Sequence, residues 1–178
     1  KVTNEVGEAE YFEYDFVERT LRNIEWIEKQ NSIVKDDPTS MTFYEFTNLI
    51  NQCLGLILLP SQFSNSTFLA NFTQELTHYG VGDNIVNKIK GNKDKTLSNI
   101  LRHLRNGIAH GHIQQYSVNN HDITDVRILD ADKGVVITSD DDAHTIIEFN
   151  IEELRTFAIK VAEEYCRLKK EELNQAIN

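Results

Sequence analysis

The spacing of apolar residues changes period twice along this chain, and those two changes decide its fold class. Up to Gly111, apolar side chains recur at helical intervals. From there to Phe149 they alternate or gather in β-branched runs, and beyond Asn150 helical spacing returns. In the first segment, Phe12, Phe16, Val17, Ile24 and Ile27 form one stripe between Glu8 and about Gln30, opposite an acidic face. Asp36-Asp37-Pro38 breaks that helix. Thr42-Phe43-Tyr44-Glu45 reads as a capping box for a second helix carrying Phe46, Leu49, Ile50, Cys53, Leu54 and Ile57, closed by Pro60. A third helix is expected over Thr67–Tyr79, with Gly80 as its stop, and a short helical piece over Asp83–Lys90. A fourth starts near Thr96, with Leu97, Ile100, Leu101, Leu104 and Ile108 on its apolar face.

After Gly111, Ile123 to Leu129 alternates, with Thr124, Val126 and Ile128 on one side. Val135–Thr138 and Thr145–Phe149 are further strand candidates. Asp130–Gly134 and Ser139–Asp142 supply turn residues between them. Asn150-Ile151-Glu152-Glu153 then caps a closing helix with Leu154, Phe157, Ala158, Val161, Tyr165 and Leu168 inward. The expected fold is mainly α: a helical bundle spanning about residues 8–112, a small antiparallel β-meander inserted at about 121–149, and a C-terminal helix at about 151–174. The chain of 178 residues suits one domain with a sizeable core, without internal repeats or low-complexity segments.

Charge narrows the function. Lys and Arg number 18 against 28 Asp and Glu, a net charge of -10 with pI near 5.0, so the mean field repels nucleic acid and anionic membranes alike. Only 8 Gly and 2 Pro exclude collagenous or linker-rich chains. The two cysteines, Cys53 and Cys166, form no CxxC, which fits small apolar roles in a reducing cytoplasm. The longest apolar run, Cys53–Leu59, falls short of the roughly 20 residues of a membrane span, so no membrane partner is expected. No signal peptide opens the chain; Lys1 in place of Met points to a trimmed N-terminus.

The chemistry concentrates in Leu101-Arg102-His103-Leu104-Arg105-Asn106-Gly107-Ile108-Ala109-His110-Gly111-His112, which holds three of the 6 histidines and two arginines. At about 100° per residue, Arg102, Arg105, Asn106, Ala109 and His110 fall opposite the apolar stripe, with His103 one heptad before His110. Gly107 and Ala109 are small enough to admit another helix or a ligand backbone. Arg105 and His110 stand about 140° apart around the axis, so one copy grips a single atom poorly, whereas two facing copies place a pair of each in one groove. From Asn84 to His112 there are six cations (Lys88, Lys90, Lys93, Lys95, Arg102, Arg105) and one anion (Asp94), a local +5 in a chain whose remainder carries -15. Such a strip can hold a phosphate.

Arg105-Asn106-Gly107-Ile108-Ala109-His110 resembles the Arg-polar-x3-His motif of the HEPN superfamily, up-and-down helical bundles that include many RNA-cleaving toxins and defence nucleases. Chance alone supplies about a quarter of one Arg-x4-His match in a chain with this Arg and His content. The polar second position, the amphipathic helix and the basic strip carry the likeness beyond chance. It is strongest over about Asn48–Gly111. The meander looks like a subfamily elaboration.

The resemblance implies Arg105 and His110 as the catalytic pair, Asn106 as the supporting residue, and a homodimer with the site at its interface. Arg102, His103 and His112 are neighbours that could support the site or contact substrate. Members adenylylated on a tyrosine two residues after the histidine have no counterpart here: that position is His112, and the nearest tyrosine is Tyr116.

Metal-independent RNA cleavage needs proton transfer to and from the 2′- and 5′-oxygens and a cation at the phosphorane. Histidine and arginine supply these with no cofactor. The expected activity is that of an endoribonuclease leaving a 2′,3′-cyclic phosphate, as a toxin or phage-defence effector. The acidic body would suit a basic antitoxin or regulator. The competing reading is a non-catalytic HEPN module that binds a nucleotide or a protein; a weaker third is a helical scaffold whose Arg–His face only dimerises. His110-Gly111-His112 lacks a third metal ligand at a recognised spacing, and Asp140-Asp141-Asp142 lacks the register of a calcium loop. His78, His121 and His144 stand alone in sequence. Phe43, Phe46, Phe63, Phe68 and Phe72 read as core, and Trp26 as either core or dimer seam.

Overall fold

A computed structural model describes residues 7–34, 45–58, 72, 74–89, 95–117 and 123–177. Helix α1 (Gly7–Val34) follows from its apolar spacing, with Asp15–Arg19 and Glu18–Arg22 ion pairs one turn apart on its outer surface. Its buried stripe is narrower than the sequence suggests. Val17 and Ile24 enter the core with Leu21 against it, while Phe12, Phe16 and Trp26 are exposed, Trp26 by 56%. Trp26 is therefore not a core residue of this chain.

Helix α2 (Glu45–Cys53) continues into one π-helical turn, Leu54–Leu58, whose Leu56 and Ile57 are fully buried. At Gly55 the turn touches α1 closely: a Cβ there would lie 3.0 Å from Phe16 Cε1. The Asp36–Pro38 break, the first three residues of the expected capping box (Thr42, Phe43 and Tyr44), Pro60, Phe63, Phe68 and His121 lie outside the described residues, as does the side chain of Phe46. Phe72 is buried as expected.

Residues 67–71 and 73 of the expected third helix lie outside the described residues, and the rest of its span is not α-helical. Glu75 is extended, and a 3-10 turn, Leu76–Tyr79, follows it, ended by Gly80 at φ 80°. The piece expected over Asp83–Lys90 is a 3-10 turn (Asp83–Ile85) leading into strand β1 (Val86–Lys88). Pairing of Val86 with Ile147 and Lys88 with Ile146 outcompetes the local helical tendency and buries Ile85 and Val86.

Helix α3 (Leu97–Ala109) buries Leu97, Ile100, Leu101, Leu104 and Ile108 as its spacing predicts. Strands β2 (Ile113–Ser117), β3 (Ile123–Asp130) and β4 (Thr145–Asn150) form an antiparallel meander, and β1 joins its far edge to give the order β1-β4-β3-β2. The strand expected over Val135–Thr138 does not form. Val136 is 77% exposed, and the segment is a loop closed by the Asp142 carboxylate, which accepts from the backbone and hydroxyl groups of Thr138 and Ser139.

Helix α4 (Ile151–Ile177) begins at the expected capping box. The Asn150 backbone donates to Glu153 at 2.9 Å, and the Glu153 backbone donates to the Asn150 side chain at 2.8 Å. Leu154, Phe157, Ala158, Val161, Ala162 and Tyr165 are buried.

The sheet is a wall of the core and not an appendage to a bundle. Val126, Ile128, Ile147 and Phe149 share one apolar cluster with α3, α4 and the π-helical turn. Leu129, Ala143 and Ile146 make a smaller cluster with Ile137 against it. Burying each of the valine, leucine, isoleucine and phenylalanine side chains contributes about 1.5–3 kcal/mol. Cys53 and Cys166 are free thiols, each pushed up to about 12 mainly by burial. Among the described residues no helix is long and apolar enough to cross a membrane.

Candidate functional site on helix α3

Gly107 sets the position of α3. A Cβ there would come 2.5 Å from Ile128 Cγ2 and 2.6 Å from the Leu129 carbonyl, so the helix backbone rests directly on β3. The close approach that this glycine permits is therefore to a strand of the same chain, and not to a second helix or a ligand. Two residues past the helix, Gly111 adopts φ 69°. The His112 N–H bonds the Gly107 carbonyl at 2.9 Å and the Gly111 N–H bonds that of Ile108 at 3.1 Å, the paired bonds of a Schellman cap. The His112 carbonyl then accepts from Leu129 N–H at 3.0 Å, tying the cap to β3.

This packing separates the six candidate residues into three groups. Arg102, exposed, and His110, exposed at the helix C-cap, face away from the core. Arg105 and Asn106 are half-buried at the margin, and His112 is half-buried beyond the cap, its ring 5.8 Å from that of His110. His112 Nδ1 is buried without a hydrogen-bond partner among the described residues. His103 corrects the helical-wheel assignment: it is 3% exposed and points against the sheet, not onto the polar face. It stands only about 60° from Ile100 and about 40° from Gly107 around the axis, so the close helix–strand contact takes it inside.

Its partner there is Asp130, the last residue of β3, also 3% exposed. His103 Nδ1 lies 2.7 Å from Asp130 Oδ2, and Asn106 Nδ2 donates to the same oxygen at 3.0 Å. Asn106 Oδ1 in turn accepts from Arg105 Nη2 at 2.9 Å and Nε at 3.2 Å. Arg102 Nη2 bonds Asn99 Oδ1 at 2.6 Å and lies 3.2 Å from His103 Nε2. Because a guanidinium only donates, Nε2 is the acceptor and the His103 proton sits on Nδ1, facing Asp130. Burial pushes the Asp130 carboxyl up, but the bonds from His103 and Asn106 and the nearby His144 outweigh it and hold the group below its ordinary range.

His144, isolated in sequence, is brought to the same place. Its backbone N–H bonds the Asp130 carbonyl at 3.0 Å, its Nε2 lies 3.9 Å from Asp130 Oδ2, and its ring stands 5.3 Å from that of His103. His103, Asp130 and His144 are thus a group that could hold a metal ion, with one ligand atom each within 4.8 Å of the others.

Neither Asp130 nor His144 stands out by spacing, since β3 and β4 pairing alone unites them with α3. The one available signal was an acid directly after the apolar pair Ile128-Leu129 at the end of an alternating strand. The basic strip is dispersed: Lys88 donates to the Asp140 carbonyl, Lys95 to that of Asp83, and Lys90 and Lys93 lie outside the described residues.

The chain matches the family described as HEPN pEK499 p136 over residues 3–172, a span that includes the whole sheet. No curated protein and no solved structure matches it.

Proposed function

Since the chain belongs to the HEPN pEK499 p136 family, which supports a nuclease or nucleotide-binding role in general, we propose that it is a metal-independent endoribonuclease acting through Arg105 and His110. The observation that carries this reading is the state of the two side chains. Arg105 is held by a neutral amide, and among the described residues no carboxylate lies within ion-pair distance of it; His110 is exposed one residue beyond the helix. A guanidinium fixed in place but not neutralised suits a phosphate, and an exposed imidazole suits proton transfer near neutrality.

In the proposed reaction His110 takes the proton of the ribose 2′-hydroxyl, and the 2′-oxygen bonds to phosphorus. The bond from phosphorus to the 5′-oxygen breaks, and the protonated His110 imidazole gives its proton to that departing oxygen. The products are a 2′,3′-cyclic phosphate and a 5′-hydroxyl, and Arg105 stabilises the charge gathered on the phosphorane. DNA lacks the nucleophile and is inert. The spacing of Arg105 and His110 supports a homodimer in which facing α3 helices complete the site. A role as a toxin or defence effector, with a basic antitoxin or regulator, extends the same reading.

Incubation of the purified chain with a short RNA in EDTA tests the proposal. Cyclic-phosphate ends that disappear in His110→Ala support it. Cleavage that depends on added metal overturns it. Retained RNA affinity without any new ends establishes the non-catalytic binding module instead.

A further inference from the structure

We infer that Asp130 is a positioning residue for this site, holding the Arg105 guanidinium in place through the side chain of Asn106. The inference rests on the nuclease reading for its consequence, but its geometry stands apart from it. An asparagine amide can point either way, and here both neighbours dictate the same choice. Asp130 Oδ2, 3.0 Å from Nδ2, demands a donor; Arg105, with Nε and Nη2 at 3.2 and 2.9 Å from Oδ1, demands an acceptor. Reversing the amide would set oxygen against carboxylate and NH2 against guanidinium. With the amide fixed, one edge of the guanidinium is pinned and its orientation follows.

Asp130 is itself tied down through both backbone and side chain. It ends β3, its backbone carbonyl accepts from His144, it pairs with Thr145 of β4, and its carboxylate accepts from the buried His103. The relay thus transfers the rigidity of the sheet to a side chain at the margin of α3. It also keeps the negative charge one amide away from Arg105, so the arginine is oriented without being neutralised. A direct Asp–Arg pair would orient it equally well and leave less charge for a phosphate.

Steady-state cleavage and a double-mutant cycle test the relay. Asp130→Ala is expected to lower kcat about tenfold to a hundredfold with KM moved less than about threefold, as for loss of transition-state alignment. In an Arg105→Ala background the same substitution should produce no further loss, because it acts through that arginine. Additive losses would overturn the inference. Asp130→Asn keeps an acceptor oxygen at nearly the same volume and should retain kcat to within about tenfold. It carries the cycle if Asp130→Ala does not fold.

The Arg105 Nε–H resonance in 15N NMR gives a readout independent of catalysis. Its exchange with water should accelerate in Asp130→Asn and Asp130→Ala. A resonance unchanged by both variants sinks the relay whatever the chain does to RNA, whereas a changed one in a chain that leaves RNA intact supports the relay and removes the nuclease reading.

Discussion

Arg105 and Arg127 are both partly buried, and their surroundings differ in how far carboxylates answer the charge. Arg127, in the middle of β3 with its side chain 16% exposed, reaches Asp140 at 2.7 Å, contacts Glu148, and bonds the Tyr116 hydroxyl and Gln114 at 3.0 and 3.1 Å. Its charge is answered from two sides by carboxylates. Arg105 is answered by one amide oxygen, and the nearest negative charge in its network is held beyond that amide. Two arginines of the same chain are therefore both hydrogen-bonded, but only Arg127 has carboxylates against its charge.

The sharpest way to break this contrast is to remove each arginine in turn. Arg105→Ala is expected to lower cleavage about 10²- to 10³-fold, as when a transition-state charge loses its donor, with little change in melting temperature. Arg127→Ala should do the reverse: cleavage within about threefold, and a loss of about 1 kcal/mol in stability from the partly solvent-screened ion pairs at the sheet. Cleavage rates and thermal melts of the two variants, measured side by side, decide the matter. An Arg127→Ala variant as inactive as Arg105→Ala would end the distinction.

A second pair of substitutions probes how α3 is seated, with effects on stability and not on charge. At Gly107 a Cβ has no room, since one of its contacts is a backbone carbonyl that cannot yield. Gly107→Ala should destabilise the fold by about 1–3 kcal/mol, as overpacking does, and displace Asn106 from Asp130. At Gly111 nothing lies within 4 Å of the added atom, so only the φ of 69° resists it. Gly111→Ala should then destabilise by about 1 kcal/mol. Chemical denaturation of both variants checks the order; a larger loss at Gly111 would mean that α3 is held by its cap more than by its contact with β3.

The parts of this arrangement that are local in sequence were legible there. The apolar stripe of α3 and the Asn150–Glu153 capping box each depend on residues within a few turns of one another, and each stands where the spacing puts it. The Arg105-Asn106 neighbourhood was visible as a motif for the same reason. What was not legible depends on pairing between distant strands. Strand β2 carries Gln114, Gln115 and Tyr116 with no clear alternation, and it exists because β3 offers it a partner. β1 is recruited by the edge of β4 in the same way. His103 reads as polar-face until β3 reaches Gly107 and encloses it. Asp130 and His144 reach His103 only through strand register, which no helical wheel encodes. Charge summed along the chain misleads for a related reason: Lys88 and Lys95 are spent on backbone carbonyls away from the motif.

The smallest expected effect, and the finest test of the contrast between buried and exposed acids, is in the pH dependence of stability. Asp130 and Asp142 both sit below the ordinary carboxylate value of 3.8, Asp142 at about 2 through the backbone and hydroxyl donors of Thr138 and Ser139. A carboxyl whose folded value is depressed contributes stability that is fully present above its unfolded value and is lost as pH falls through the folded one. Each Asp→Asn variant should therefore be less stable than the parent at neutral pH, with a gap that narrows below about pH 4. For Asp142→Asn the gap should go on narrowing down to about pH 2. For Asp130→Asn the narrowing should be accompanied by faster exchange at Arg105 Nε–H in the parent chain, because protonating Asp130 weakens the acceptor that orients Asn106. Denaturant midpoints taken between neutral pH and pH 2 measure both gaps. A gap for Asp130→Asn that widens on acidification would mean that the buried carboxyl is held above its ordinary value, with desolvation outweighing the donors around it.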